Sequence, residues 1–333
     1  MSITVADYSG RPPEPPAAPA SETQDGPVLM LDARAGAGQR LDRFVTAALA
    51  EVSRSRVQRW IALGAVTVDG AAARASTRLR GIEAIEVRPL PVEADAAFEP
   101  DPVDLAVVHE DRDLLVLDKA AGLVTHPGSG HWRGTLMNGL LYAWPDAAAL
   151  PRAGIVHRLD KDTSGLLMVA RSERAFDRLS AALAARTVQR RYVAVAEGVI
   201  VPRQTVEAPI GRDPRERTRM AVVDAAHGRW AVTHVERLAV GAAASSVECR
   251  LETGRTHQIR VHLAWRGHPL VGDRLYGGRP RSGFERQALH AWSLALEHPT
   301  RGEPVRFTSR PPDDLRALFE ACGLPEPRPD PGR

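Results

Sequence analysis

Cysteine is nearly missing from this chain. Cys249 and Cys322 are the only two in 333 residues, far apart and in no metal-ligand spacing. That argues against a disulfide framework and against a cysteine-held zinc site, and makes a reducing compartment the default. Long apolar runs are missing too: no window approaches the roughly 18 consecutive apolar residues of a membrane span. The amino terminus is acidic and Pro-rich and lacks the charged-then-apolar order of a secretion signal. A soluble cytoplasmic protein with no membrane association is therefore expected. There is no internal repeat, and no glycine-rich phosphate loop in a strand-to-helix context. Excess charge is also small, at +3, although a pI near 9.2 reflects heavy use of arginine. Such basicity is compatible with nucleic acid but does not identify it, because a local patch decides binding.

A chain of this length can hold two domains. Residues 1–26 collect Pro12, Pro13, Pro15, Pro16 and Pro19 among small polar residues. That composition buries too little apolar surface to offset ordering entropy, so a disordered tail is expected. From Leu41 the pattern becomes helical, through Phe44, Val45, Ala48 and Leu49; Ser53 can cap a second helix carrying Val57, Trp60, Ile61 and Leu63, with Gly64 as its stop. Ala65 to Gly70 reads as a strand ending in an Asp-Gly turn, with Ile85-Glu86-Val87 as its partner. These elements fill a first domain, residues 27–88. A Pro-rich, acidic stretch at 89–103 follows as a linker.

Beyond it, Leu105–His109 and Leu114–Asp118 pair as a hairpin, while Thr135 and Ser172 can cap two helices. Strands then dominate at Tyr192–Ala196, Thr218–Val223, Ala231–Leu238 and Val247–Glu252. Thr256 can cap a helix to Arg266, stopped by Gly267. The expected fold class is α+β, a mainly antiparallel mixed β-sheet flanked by helices over residues 104–322, with a Pro-rich tail at 323–333.

The most informative segment is HRLDKDTSG, His157 to Gly165, between the apolar runs Gly154-Ile155-Val156 and Leu166-Leu167-Met168-Val169-Ala170. Such runs fit buried strands, with Thr163, Ser164 and Gly165 supplying the turn between them. Asp160, flanked by Arg158 and Lys161, is then a carboxylate on a rigid support, held ionised by nearby positive charge as a nucleophile requires. On these residues alone, a structural turn with an Asp160–Arg158 ion pair reads equally well.

The segment HRLDKDTSGLLMVA resembles the catalytic motif of the RluA-type pseudouridine synthases. Three other stretches agree with that family: Leu251 to His262 (LETGRTHQIRVH), Arg191-Tyr192-Val193-Ala194, and Gly267 to Asp273 (GHPLVGD). The similarity covers roughly residues 27–320. It is greatest to the RluD branch, whose members act on large-subunit ribosomal RNA. The two amino-terminal helices followed by GAVTVDG resemble the S4 RNA-binding module, in which Arg54, Arg56 and Arg59 would meet phosphates without reading bases; a plain solvated helical face is the bland alternative. One departure stands out: the family usually carries Lys-Pro-x-Gly where this chain has Lys119-Ala120-Ala121-Gly122. That motif is chiefly structural, packing near the floor of the site.

The resemblance implies roles residue by residue. Pseudouridine formation detaches uracil from ribose, turns it and rejoins it through carbon, so the base must leave the helix at an unstacking cost of a few kcal/mol. Asp160 would act, either by attacking the anomeric carbon or by removing the 2′ proton; one ionised carboxylate serves both routes, and neither cofactor nor metal is called for. Arg260 would pair with it. Tyr192 would stack on the uracil and serve in proton transfer, Ile259 would close the other face, Arg158 would fill the gap left by the base, and His157 would lie among the base-binding residues. His157, His257 and His262 tempt a metal reading, but the spacing of the last two does not align ligands on a helix face. His126, His131 and His290 read as structural or RNA-facing. The expected partner is ribosomal RNA or the pre-ribosomal large subunit, met by a monomer. Rival readings are a synthase for other ribosomal or transfer RNA uridines, and an S4-type assembly factor with secondary catalysis.

Overall fold

The computed structural model describes residues 28–62, 64–89, 98–127, 132–216 and 219–328, without the side chains of residues 55, 59 and 62. The expected disordered tail, most of the linker, Leu63, His131, Thr218 and the Arg59 side chain therefore lie outside the described residues. The chain divides into two compact units, Met1–Ala96 and Ala97–Arg333.

In the first unit, helices Leu41–Ala48 and Arg54–Ala62 pack on a four-stranded antiparallel sheet of β1 (Leu29–Asp32), β2 (Val66–Val68), β3 (Ala71–Ala72) and β4 (Ala84–Val87), ordered β1-β4-β2-β3. The apolar positions that suggested helices form its core: Leu41, Phe44, Val45, Val57, Trp60 and Ile61 against Val66, Ile85 and Val87. Asp69 and Gly70, at φ 51° and 74°, make the turn the Asp-Gly pair implies. That turn leads into β3, while Ile85–Val87 pairs with the other edge of β2.

Among the described residues the second unit is built on one nine-stranded sheet. Its strands are β5 (Ala106–Glu110), β6 (Leu114–Lys119), β7 (Ser164–Ala170), β8 (Gln189–Glu197), β9 (Arg203–Glu207), β12 (Val232–Val240), β13 (Ala244–Leu251), β14 (Leu289–Glu297) and β15 (Pro304–Thr308); a separate hairpin pairs β10 (Ile210–Arg212) with β11 (Met220–Val222). The order is β5-β6-β7-β14-β8-β13-β12-β9, with β15 on β14, and every pairing is antiparallel except β7 with β14. The central strands are covered on both faces, so they read as unbroken apolar runs. On β7, Leu167 and Val169 enter the core shared with Tyr192 and Ile259, whereas Leu166, Met168 and Ala170 pack against the helix Glu173–Ala184.

Several expectations need correction. Gly154-Ile155-Val156 is no strand: Pro151–Gly154 is a short 3₁₀ turn with Arg152 and Ala153 left-handed, and Ile155 makes a single bridge to Val169. Gly154, at φ 80°, packs so closely that a Cβ would lie 2.0 Å from the Ala170 carbonyl oxygen. Thr256 caps no helix. His257 is the N-cap of Gln258–Trp265 at φ 56°, and the Gln258 amide closes that corner by binding Thr253, Val232 and the Arg255 backbone. Residues 99–103, placed in the linker, are tied down: Asn138 donates to the Glu99 carbonyl at 2.8 Å and Asp101 N–H donates to the Asn138 carbonyl. At the other end, Leu324 is buried beside Phe319, so the Pro-rich tail starts inside the core. By contrast, Thr135 and Ser172 cap their helices as their residue types suggest, the former through a reciprocal capping box with Asn138.

Candidate active site

Asp160 sits in the loop between Ile155 and β7, and the loop is fastened along its length. Thr125 Oγ1 donates to the Leu159 carbonyl at 2.8 Å, Thr163 N–H to the Asp160 carbonyl at 3.1 Å, and Arg286 Nη1 to the Asp162 carbonyl at 2.9 Å. Lys119 is fully buried and its ammonium donates to the carbonyls of Ala120, Leu123 and Lys161 at 2.8, 2.8 and 2.9 Å. The motif that lacks its proline is thus stitched to the loop through its lysine and through Gly122 N–H, which donates to Lys161. Gly165, the second residue of β7, has φ 112°, and a Cβ there would strike the Ala291 carbonyl oxygen at 2.3 Å. The parallel β7–β14 register requires glycine there.

The Asp160 carboxylate is 16% exposed and meets Arg260 Nη1 at 3.1 Å through Oδ2. Its Oδ1 faces His257 Nε2 at 3.9 Å. Arg260 does pair with Asp160, but its fork is spent elsewhere: Nε and Nη2 grip Asp273 at 2.7 and 2.8 Å. Both partners are buried, and the guanidinium lies over the Tyr276 ring at 5.1 Å. Burial works against this cation; the hydrogen bonds and charge of Asp273, followed by Asp160, outweigh it and raise its pKa. Tyr276 hydroxyl pairs with His257 Nδ1 at 2.8 Å and accepts from Met220 N–H at 3.1 Å, so one shell supports both neighbours of Asp160.

Tyr192 projects from the central strand β8 into the same cleft, packed with Ile259 and Leu289. Among the described residues its hydroxyl makes no hydrogen bond. Burial pushes its pKa up, with Arg190 opposing and Asp160 reinforcing the shift. Arg158 is exposed and makes no ion pair with Asp160, which removes the bland reading of that loop. It lines the hollows on both sides of the carboxylate, the first about 490 Å³ in volume and large enough for a nucleoside.

His157 lies differently from expectation. Its Nε2 accepts from Met168 N–H at 3.0 Å and its Nδ1 is shut from solvent, so the ring fastens the loop to β7 and is not free for a base. Burial, then the charges of Arg190 and His126, lower its pKa to about 3. His262 bonds Thr233 and His290 bonds Ser164, both in the interior. In the first unit, Arg54 is committed to the buried Asp42 at 2.8 Å, alongside Arg40 and Gln58. It is an internal strut as well as a surface cation. Arg56 lies over the Trp60 ring at 5.1 Å.

Asp273 and Tyr276 are the supporting residues that sequence reasoning left unassigned. Asp273 closes the GHPLVGD stretch, yet no spacing rule aims it at Arg260. No helix among the described residues is long and apolar enough to cross a membrane.

Comparison with known proteins decides the family. The sequence matches RNA pseudouridylate synthase over residues 113–265 and the S4 domain over residues 39–83. It is 47% identical to ribosomal large subunit pseudouridine synthase D of Xanthomonas campestris pv. campestris over 298 residues, 86% of this chain and 89% of that protein. The chain belongs to the RNA pseudouridylate synthase family. The synthase D of Nitrosomonas europaea is 44% identical over 323 residues, covering 95% of this chain and 93% of the relative. Among solved structures, human RNA pseudouridylate synthase domain containing 1 superposes with a TM-score of 0.51 at 29% identity, covering 68% of this chain and 98% of its own. Asp160, Tyr192 and Arg260 all fall within the synthase match; Asp273 and Tyr276 lie beyond it.

Proposed function

We propose that this synthase isomerises uridines of large-subunit ribosomal RNA in the cytoplasm, acting as a monomer through Asp160, with Arg260 and Tyr192 as its partners. The observation that carries the reading is the disposition of the Asp160 carboxylate. One oxygen is oriented by a single arm of the Arg260–Asp273 pair, while the other, 3.9 Å from His257 Nε2, accepts no side-chain hydrogen bond among the described residues. An oriented, ionised carboxylate with a free oxygen is what the chemistry asks of the protein. When that oxygen attacks C1′, a C–O bond forms as the glycosidic bond to N1 breaks and the uracil leaves with the electron pair. The turned base then rejoins through C5, the carboxylate departs, the C5 proton is lost and N1 gains one. Removal of the 2′ proton by the same oxygen is the alternative entry.

Tyr192 offers a ring to stack on the extruded uracil, and its raised pKa keeps the hydroxyl protonated for transfer. Ile259 closes the pocket opposite, and Arg158, exposed and in no ion pair among the described residues, can take the place of the base. The S4 unit, with Arg56 and the exposed part of Arg54, adds phosphate contacts that position without reading sequence. The large-subunit target rests on the relatives' names and on the reach of the likeness, up to 95% of this chain and 93% of the relative. Two measurements test the proposal. Asp160→Asn is expected to abolish pseudouridine formation in single turnover while holding RNA affinity within a few fold, and a deletion strain should lack specific pseudouridines in large-subunit RNA. Product from the Asn variant would reject Asp160, and an intact large-subunit pattern in the deletion strain would reject the target.

A further inference from the structure

We propose that Arg190 forms an RNA-phosphate site inside the cleft, binding a phosphodiester of the strand that flanks the extruded uridine; this rests on the function read above. Arg190 and Arg191 are neighbours on β8 and point to opposite faces. Arg191 meets Glu248 at 2.7 Å. Arg190, on the Tyr192 face, makes no side-chain hydrogen bond or ion pair among the described residues, although it is only 8% exposed and its Nε is shut from solvent. A guanidinium largely withdrawn from water without a protein acceptor is unfavourable, so the arrangement suits a ligand that brings its own oxyanion.

The surroundings point the same way. Glu252, the carboxylate of this wall, is occupied by His234 at 2.7 Å and Arg186 at 3.6 Å. Asp160 is turned to Arg260. The remaining charged groups lining the hollow are Arg152, Arg158, Arg186 and Arg255, all of one sign. His126 and His157, the rings beside them, are held below their ordinary range by burial, then by Arg158 and Arg152 for the first and by Arg190 for the second. Gly254 makes the room: a Cβ there would stand 2.8 Å from Arg190 Nη1. Arg190 lies two strand residues from Tyr192, about 6.6 Å along β8. A base stacked on Tyr192 therefore leaves Arg190 to the backbone beside it. A neutral uracil carbonyl would not balance the charge, and a phosphate does.

The test is binding of a large-subunit ribosomal RNA stem-loop by the full chain across a salt series. Arg190→Gln is expected to weaken affinity about 10-fold or more. It should also lower the slope of log affinity against log salt by about 0.7 to 0.9, one phosphate's worth. Arg190→Lys should restore the slope. Gly254→Ala, which displaces the guanidinium without removing it, should reproduce much of the affinity loss. A neutral methylphosphonate at the contacted linkage should weaken the parent and leave Arg190→Gln indifferent. An unchanged slope, or losses that add at every linkage, would overturn the proposal, as would a lowered melting temperature with unchanged RNA affinity, which marks a structural cation. These readouts need no turnover; absence of pseudouridine from the parent would count against the proposed function and not against the phosphate site.

Discussion

Replacing Asp273 by asparagine keeps the shape of the side chain and takes away the charge that two arms of Arg260 grip at 2.7 and 2.8 Å. The Asn amide turns an N–H toward a guanidinium that has only N–H groups to offer, and the pair is almost wholly withdrawn from water, at 8% and 1% exposure. Breaking such a pair by removing one partner costs about 3–5 kcal/mol, because the surviving charge stays buried. For a unit of this size each kcal/mol lowers the melting temperature by about 2–4 °C, so a drop of about 6–20 °C is expected. The consequence for catalysis is separate. Asp160 receives only one arm of Arg260, and a guanidinium freed from Asp273 can swing both remaining arms toward it, which occupies the open oxygen. Turnover should therefore fall well below the parent even at temperatures where the variant is folded. Thermal melting and single-turnover pseudouridine formation at 15 °C, on the same preparation, check both parts. A melting temperature within a degree or two of the parent, with a parental rate, would refute the account of Arg260 as a cation anchored by Asp273.

Three further outcomes follow from the same structure. Arg260→Lys should rescue neither stability nor rate, because an ammonium cannot hold the two oxygens of Asp273 and reach Asp160 at 3.1 Å together; parental behaviour in melting and turnover assays would reject that geometry. His157 has its folded pKa lowered to about 3, so the native state stays unprotonated while the unfolded chain takes up a proton near its ordinary value of about 6.5. Its contribution is present above that value and is lost as the pH falls toward the folded value. Urea titrations between pH 7 and pH 5 should show a shallower loss of stability in His157→Gln than in the parent. Removing residues 1–96 should leave a folded unit that forms pseudouridine slowly and binds RNA with a smaller salt slope, since the two units have separate cores. An unchanged slope and affinity would mean that the S4 unit makes no phosphate contacts.

Much of this protein was legible in order along the chain. Helix caps such as Thr135 and Ser172, the Asp-Gly turn at Asp69-Gly70 and the apolar spacing of the first two helices act within a few residues, so residue type and spacing carry them. The motifs holding Asp160, Tyr192 and Arg260 were equally plain, and the three residues do converge on one cleft. What the sequence did not disclose depends on contacts across the fold. Gly154-Ile155-Val156 has the composition of a strand, but Gly154 ends a 3₁₀ turn packed closely on Ala170, and Ile155 makes only a single bridge to Val169. His257 takes a left-handed N-cap where Thr256 has the better capping chemistry, because Gln258 already closes that corner through Thr253 and Val232. The charge pairing was decided the same way: nothing in the chain says that the fork of Arg260 belongs to Asp273, that Lys119 binds three carbonyls, or that Arg190 is left without a side-chain partner among the described residues. Identity and local order follow from side-chain chemistry at short range; which charges are spent on the fold and which remain for the substrate is a question of three-dimensional proximity, and only tertiary packing answers it.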